Sequence, residues 1–386
     1  MTTHLKTYFT HSRSIALGAV FSCFGFLFGN WVTLIPYVKA KFGFDDAQLG
    51  LLLLSMPLAA TMSNPIATLV ISRFGMRQTT LWGLVAMSFA YILPVQMSSI
   101  WATACALGVV GLTLSITNVA MNTCVTSVER QEGIFIMSTS HGMFSMGGMV
   151  GSALASVLIG MRTAPSIHVL IASGLVLMVL LAVWKTILGI FEEKIVAASS
   201  SSKFAWPTPV LWGMIAISLC TNITEGAMSD WTAVYMREVV VANDFYIGWG
   251  FASYALLMAT GRFLGDTMIP RYGRRRLLVG GGILAALGII LAVFLPFTFS
   301  AITGFALVGL GVSCCAPILY GSAARIPDMA KGAGLATLNT FSIAGFLVGP
   351  ALIGFVSNAV NLAFAIGIVA VLAMLWAFLS NKAKLY

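Results

Sequence analysis

Four polar positions stand in stretches otherwise apolar enough to be buried, and their types suit proton and solute chemistry. Glu225 shares a helical face with Thr221 and Thr232. A carboxyl held in an apolar span is costly and commonly marks a pathway, which makes it a candidate proton carrier; the competing reading is a hydrogen-bonded structural acid. His141 has Ser138 and Ser145 at i−3 and i+4 on one face. Histidine titrates near neutral pH, so His141 reads equally as a proton or solute ligand and as a packed, singly hydrogen-bonded ring. Asn118 and Asn122 lie one turn apart and present two uncharged amides. Such a pair suits a polar solute, or else ties two helices together.

Further residues fall around these. Asp230-Trp231 and Asn30-Trp31 stand near the outer ends of their spans, where tryptophan serves either as a belt residue or as a gate or site lining. Arg262 and Asp266 are four apart and are expected to form an ion pair along one helix, bracing an inner gate; the second reading makes Arg262 an anchor for an anion. Tyr320 and Asn339 stand, in the repeat described below, where the first half has Asn122 and His141.

The elements that must position these groups are membrane helices. Hydrophobic residues make up 59% of the 386 and charged residues 9%, against about 25% charged in a soluble domain. Mean hydropathy is +0.96. Twelve spans are expected, roughly 15–39, 47–71, 79–98, 100–125, 134–160, 165–190, 207–236, 244–268, 276–297, 299–323, 331–357 and 361–380. Alternation at the pitch of a membrane strand is absent, which excludes a lipid-facing β-barrel. The first span runs on past Asn30-Trp31 with no small-x-small cleavage site, so it is read as a retained helix.

The chain also lines up with itself. A shift of 198 positions puts Gly50 on Gly248, Arg73 on Arg271, Gly75 on Gly273, Gly147 on Gly345 and Gly151 on Gly349. Parallel duplication in a membrane protein is a transporter signature. The expected division is a first six-helix bundle over 1–190, a polar linker over 191–206 and a second bundle over 207–386. The G-x-x-x-G pairs Gly147/Gly151 and Gly345/Gly349 bring helix backbones close, either as static packing or as a surface along which the bundles rock.

Charge sets the orientation. With both termini cytoplasmic, inner segments hold 16 lysines and arginines and outer segments 4, namely Lys39, Lys41, Arg162 and Arg237. The net charge of +9 follows from this bias and calls for no nucleic-acid partner. The six cysteines have no zinc spacing and read as packing residues. No nucleotide-binding G-x-x-x-x-G-K-[ST], cofactor motif, metal-ligand cluster or catalytic triad is present, so the chain reads as a non-enzyme driven by a gradient.

The turn Ser72-Arg73-Phe74-Gly75-Met76-Arg77 repeats as Pro270-Arg271-Tyr272-Gly273-Arg274-Arg275-Arg276. In this the chain resembles the major facilitator superfamily, except that Ser72 and Pro270 stand where that family usually has Asp. The segments Asn118-Val119-Ala120-Met121-Asn122, Ser140-His141-Gly142-Met143-Phe144-Ser145 and Glu225-Gly226-Ala227-Met228-Ser229-Asp230-Trp231 resemble the fucose-permease-like branch of bacterial inner-membrane carriers. The resemblance implies an all-α membrane protein with twelve transmembrane helices in two pseudo-symmetric bundles, monomeric, without cofactor or metal. It implies alternating access for a small polar solute, with protons as a coupling ion and lipid as surroundings.

On this reading the substrate is bound by Asn30, Trp31, Asn118, Asn122, His141, Glu225, Trp231, Tyr320 and Asn339. Glu225 and His141 couple protons. Arg73, Arg77, Arg262, Asp266 and Arg271 form the inner gate. Alternatives are an uncoupled facilitator, a drug or metabolite efflux carrier, and a transporter-like sensor.

Overall fold

The computed structural model describes residues 3–192, 206–327, 329 and 332–386; nearly all of the expected linker lies outside them. A short helix α1 (Thr3–Thr10) leads into α2 (Ser12–Phe42). Next come α3 (Asp46–Leu53), α4 (Ser55–Met62), α5 (Asn64–Phe74), α6 (Met76–Ala90) and α7 (Ile92–Gln96). The long helices α8 (Ile100–Glu132), α9 (Met137–Gly160) and α10 (Pro165–Leu188) complete the first half. The second half holds α11 (Pro209–Glu238), a 3-10 turn at Asp244–Tyr246, α12 (Trp249–Tyr272), α13 (Arg274–Phe294), α14 (Thr298–Val312), α15 (Cys315–Ala323), α16 (Ala333–Ala359) and α17 (Leu362–Lys382). No strand occurs among the described residues.

Ten spans are long and apolar enough to cross a membrane, counting α6–α7 and α14–α15 as one each, and the pair α3–α4 and α5, bent by 49°, supplies an eleventh. The twelfth expected span is α12. Its 24 residues give about 36 Å of helix, but Arg262, Asp266 and Arg271 interrupt its apolar character. The interruptions in the second span have local causes: Pro57 stands three residues past the break at Leu54, and Pro65 two residues past the break at Ser63.

Helix ends are capped where the chain must turn. Asp45 Oδ1 accepts from Gln48 N at 2.7 Å, and Gln48 Oε1 accepts from Asp45 N at 3.2 Å, closing a capping box at the start of α3. Thr208 and Asn361 cap α11 and α17 by a single side-chain bond each, accepting from Leu211 N and Phe364 N. Tyr8 packs under α9, its hydroxyl 3.2 Å from Ser140 Oγ, and burial pushes that phenol up to about 12.

The internal repeat is visible in backbone detail. Gly75 has φ +84 and ψ 155, and Gly273, 198 residues on, has φ +79 and ψ 152. A side chain at that φ would be strained, so glycine is required at both turns. Arg73 stacks over Phe74 at 5.6 Å and Arg271 over Tyr272 at 5.4 Å. A Cβ at Gly111 would strike the Met56 carbonyl, and one at Gly309 would strike the equivalent Tyr254 carbonyl.

Within the first half, α2 and α9 pack backbone to backbone. A Cβ at Gly25, Gly29, Gly147 or Gly151 would meet a main-chain carbonyl of the facing helix. The Gly147/Gly151 pair therefore serves packing inside one half, and the rocking reading of that motif is not what the structure shows. Gly345 likewise faces Asn222 and Leu219 of its own half, and Gly349 makes only ordinary contact with Ile223. Extra volume on the α2–α9 seam should cost about 1–3 kcal/mol. Gly147→Ala is expected to lower the melting temperature of the detergent-purified protein. Gly174→Ala, placed where nothing lies within 4 Å, should leave it unchanged or raise it.

Candidate functional site

Asn118, Asn122 and His141 come together as one hydrogen-bonded chain. Asn122 Nδ2 donates to Asn118 O at 2.8 Å and to Asn118 Oδ1 at 3.1 Å. With its amide oriented that way, Asn122 Oδ1 accepts from His141 Nε2 at 3.2 Å. The ring therefore carries its proton on Nε2, and Phe21 packs edge-on against it at 5.4 Å. All three residues are half-buried, on α8 and α9, at the seam between the halves.

Arg262 enters this group from the other half; its expected ion pair with Asp266 falls on a side chain outside the described residues. Its Nη1 crosses to α9, donating to Ser145 Oγ at 2.8 Å and to His141 O at 3.3 Å. In return Ser138 Oγ donates to the Arg262 carbonyl at 3.1 Å. No ion pair of Arg262 occurs among the described residues, and the Asp266 side chain lies outside them. Glu225, near the middle of α11, is half-buried and within electrostatic range of Arg262, Tyr254 and Tyr320, yet forms no ion pair.

Other predicted residues lie elsewhere. Asn30 and Trp31 turn into the first half, lining a small cleft with Leu27, Tyr91 and Val169. There the Asn30 amide nitrogen and the Tyr91 hydroxyl are buried without partners. Trp231 is fully buried, and its indole nitrogen is also unpartnered. Neither tryptophan forms an interfacial belt. Tyr320 is half-buried, and Asn339 is exposed on the second turn of α16. The groove of about 500 Å³ lined by Val70, Phe74, Trp82 and Leu112 belongs wholly to the first half and has no part in the seam.

The described hydrogen bonds between the halves run from this polar group to the end of the molecule opposite the linker. Above it comes an aromatic layer, with Phe28 6.0 Å from Phe251 and 6.2 Å from Phe144. Beyond lie hydroxyl contacts: Ser152 Oγ donates to Gly248 O at 2.7 Å, and Ser156 Oγ donates to Phe245 O at 2.8 Å. Outermost is a charge cluster. Lys39 Nζ stands 2.6 Å from Asp46 Oδ1 and 2.6 Å from Glu238 Oε2, while Ser357 bonds the Asp46 carboxylate. A sequence reading has no means of pairing Lys39 with Glu238, 199 residues away; their charge at helix ends was the only signal.

The other arginines expected at the inner gate, Arg73, Arg77 and Arg271, have their described contacts within their own halves. Arg77 pairs with Glu192 at 2.6 Å and also reaches the Leu188 and Ile190 carbonyls, pinning the start of the linker to the turn at Gly75. Arg73 and Arg271 only stack on their neighbours. The structure is thus sealed away from the linker, and none of Arg73, Arg77 and Arg271 joins the halves on the linker side.

Comparison with known proteins agrees with this architecture. The Major Facilitator Superfamily model matches residues 15–241 and 238–383. The chain belongs to the major facilitator superfamily. An uncharacterized transporter of that type from Yersinia pestis is 33% identical over 365 residues, covering 94% of each chain. The nucleoside transporter NupG has the same fold at TM-score 0.74 and 14% identity, over 97% of this chain and 100% of its own. The fucose:proton symporter FucP of E. coli follows at TM-score 0.65 and 14% identity, over 97% and 100%. The protein is a multi-pass membrane transporter of a small molecule, and no enzyme.

The far-side charge cluster should hold the seal shut by a modest amount, since exposed pairs contribute about 0.2–1 kcal/mol. Thr33, buried beneath it against Ser152, reports its opening. In a C105S background, T33C is expected to react with an impermeant maleimide up to about fivefold faster when K39M or E238Q is added. An unchanged rate would show that these charges do not hold the seal.

Proposed function

We propose that this protein is a secondary active transporter that moves a small polar solute across the bacterial inner membrane by alternating access, coupled to protons. Two six-helix bundles, 1–190 and 207–386, rock about the seam, with 191–206 as the cytoplasmic linker. The excess of lysine and arginine on the linker side supports cytoplasmic termini. In that orientation the described state is closed outside. The opposite state requires the Lys39 cluster and the Phe28–Phe251 contact to part, and a new closure to form near Arg73, Arg77 and Arg271.

One observation carries the reading: the polar group is divided between the halves. Asn118, Asn122 and His141 stand on one side, Glu225, Arg262 and Tyr320 on the other, each near mid-helix or one turn in. A solute held by both halves rides with their rearrangement. Glu225 is the proposed proton carrier. It is a mid-span carboxylate with no ion-pair partner among the described residues, so it can gain and lose charge without dismantling a salt bridge. His141 spends its Nε2 proton on Asn122 and is the secondary site. Asn30, Trp31, Trp231 and Asn339 are left out of the proposed binding set.

The test uses purified protein in liposomes. Glu225→Gln is expected to abolish accumulation driven by a pH gradient while solute exchange at equal concentrations continues. Full accumulation in the variant removes Glu225 from the role. Uptake by the native protein that stops at equal concentrations and that an ionophore leaves untouched would make it a facilitator.

A further inference from the structure

Arg262 is a full positive charge near the middle of a membrane helix, and the partners it has are neutral. Of its five N–H donors, the described bonds use only those on Nη1, toward a serine hydroxyl and a main-chain carbonyl. Nε and Nη2 have no partner among the described residues. A cation held in an apolar span ordinarily pairs with an acid. Glu225 is the acid whose charge reaches it, but no oxygen of Glu225 comes within 4.0 Å of a guanidinium nitrogen. The guanidinium is therefore half-coordinated, at the seam, beside the very groups that suit a solute.

The open half of the fork matches a planar, two-oxygen anion. Guanidinium and carboxylate meet through two parallel hydrogen bonds, a geometry lysine does not reproduce. Apart from Glu225, the neighbourhood described is uncharged and rich in hydrogen-bonding groups: Asn118, Asn122 and His141 from the first half, Tyr254 and Tyr320 from the second. Amides and phenols serve hydroxyl groups well and discriminate against solutes lacking them, because unpaired buried polar groups are costly.

Putting these together, the structure assigns Arg262 as the anchor for the carboxylate of a small hydroxylated organic acid, which is the solute this protein carries. The assignment rests on the transport reading above and narrows its substrate class. The anion completes the coordination of a residue already bonded to α9, so binding strengthens the contact between α12 and the first half. The serine hydroxyl of Ser145 holds the guanidinium plane in place, a positioning role.

Three matched pairs test it: glycerate against glycerol, gluconate against sorbitol, galacturonate against galactose. Each pair has a hydroxylated carbon chain of equal length and differs in the carboxylate. Binding to the purified native protein at millimolar concentration is followed by thermal shift and by titration. At least one acid should bind saturably and raise the melting temperature, and its neutral partner should not. Arg262→Gln should weaken that acid by about tenfold or more, and Arg262→Lys should recover only part of the loss. A neutral member binding as well as its acid, an acid indifferent to Arg262→Gln, or a flat response to all three acids overturns the assignment. The acid-against-neutral comparison needs no variant, so a misfolded Arg262→Gln leaves the test intact. A neutral solute accumulated under a pH gradient would end this assignment alone and leave proton-coupled transport standing.

Discussion

The arrangement turns on the difficulty of keeping charge inside hydrocarbon. An arginine at a helix centre costs about 2.5–3.5 kcal/mol on insertion scales, and an acid costs a similar amount. This chain places one of each, Arg262 and Glu225, on neighbouring helices and still does not close them into an ion pair. The guanidinium instead leans across to α9, where Ser145 and the His141 carbonyl take part of its hydrogen-bonding capacity. Two features of α12 follow: its apolar run is broken, and near mid-helix it is tied by hydrogen bonds to α9 of the opposite half.

A second consequence concerns which contacts can break. Inside the first half, α2 and α9 meet carbonyl against glycine along four positions, Gly25, Gly29, Gly147 and Gly151, leaving no room for relative motion. Between the halves, backbone also approaches backbone at separate points: a Cβ at Gly50 would meet the Pro350 carbonyl, one at Gly354 the Asp46 carbonyl and one at Gly248 the Ser152 carbonyl. The other contacts of the seam are single hydroxyl bonds, edge-on aromatic pairs and a partly exposed charge cluster, each worth on the order of 1 kcal/mol or less. Those layers are separable, while the α2–α9 seam runs unbroken inside one half.

Much of this was legible in the residues, for identifiable reasons. The turns at Gly75 and Gly273 could be matched because a positive φ admits little but glycine, so the repeat left a mark in residue type. Asn118, Asn122 and His141 could be grouped because helical spacing puts the first two on one face, and each is rare in an apolar span. Direction was harder. Helices α2 and α11 are apolar all round, so nothing in their pattern says that Asn30, Trp31 and Trp231 turn inward to their own bundles. Spacing along one helix reveals only same-helix neighbours, such as Asp266 for Arg262, and gives no sign of Ser145, a described partner 117 residues away and ordinary in type. The Lys39–Glu238 pair escaped for the same reason.

The duplicated scaffold carries chemistry that is not duplicated. At the shift of 198, Asn118, Asn122 and His141 fall on Ala316, Tyr320 and Asn339, while Glu225 and Arg262 fall back on Leu27 and Asn64. Neutral hydrogen-bonding groups thus collect in the first half and membrane-embedded charge in the second. Asn64 shows what the second copy gave up: its Oδ1 accepts from Ser115 within the first half at 3.0 Å, a static bond between helices. Arginine at the equivalent position is too long for that role and reaches the opposite half instead. Neither half alone offers a complete site, since one lacks charge and the other lacks the amide and imidazole chain. Any solute that needs both is bound only where the halves face each other, which would make its binding sensitive to the proposed rocking at the seam.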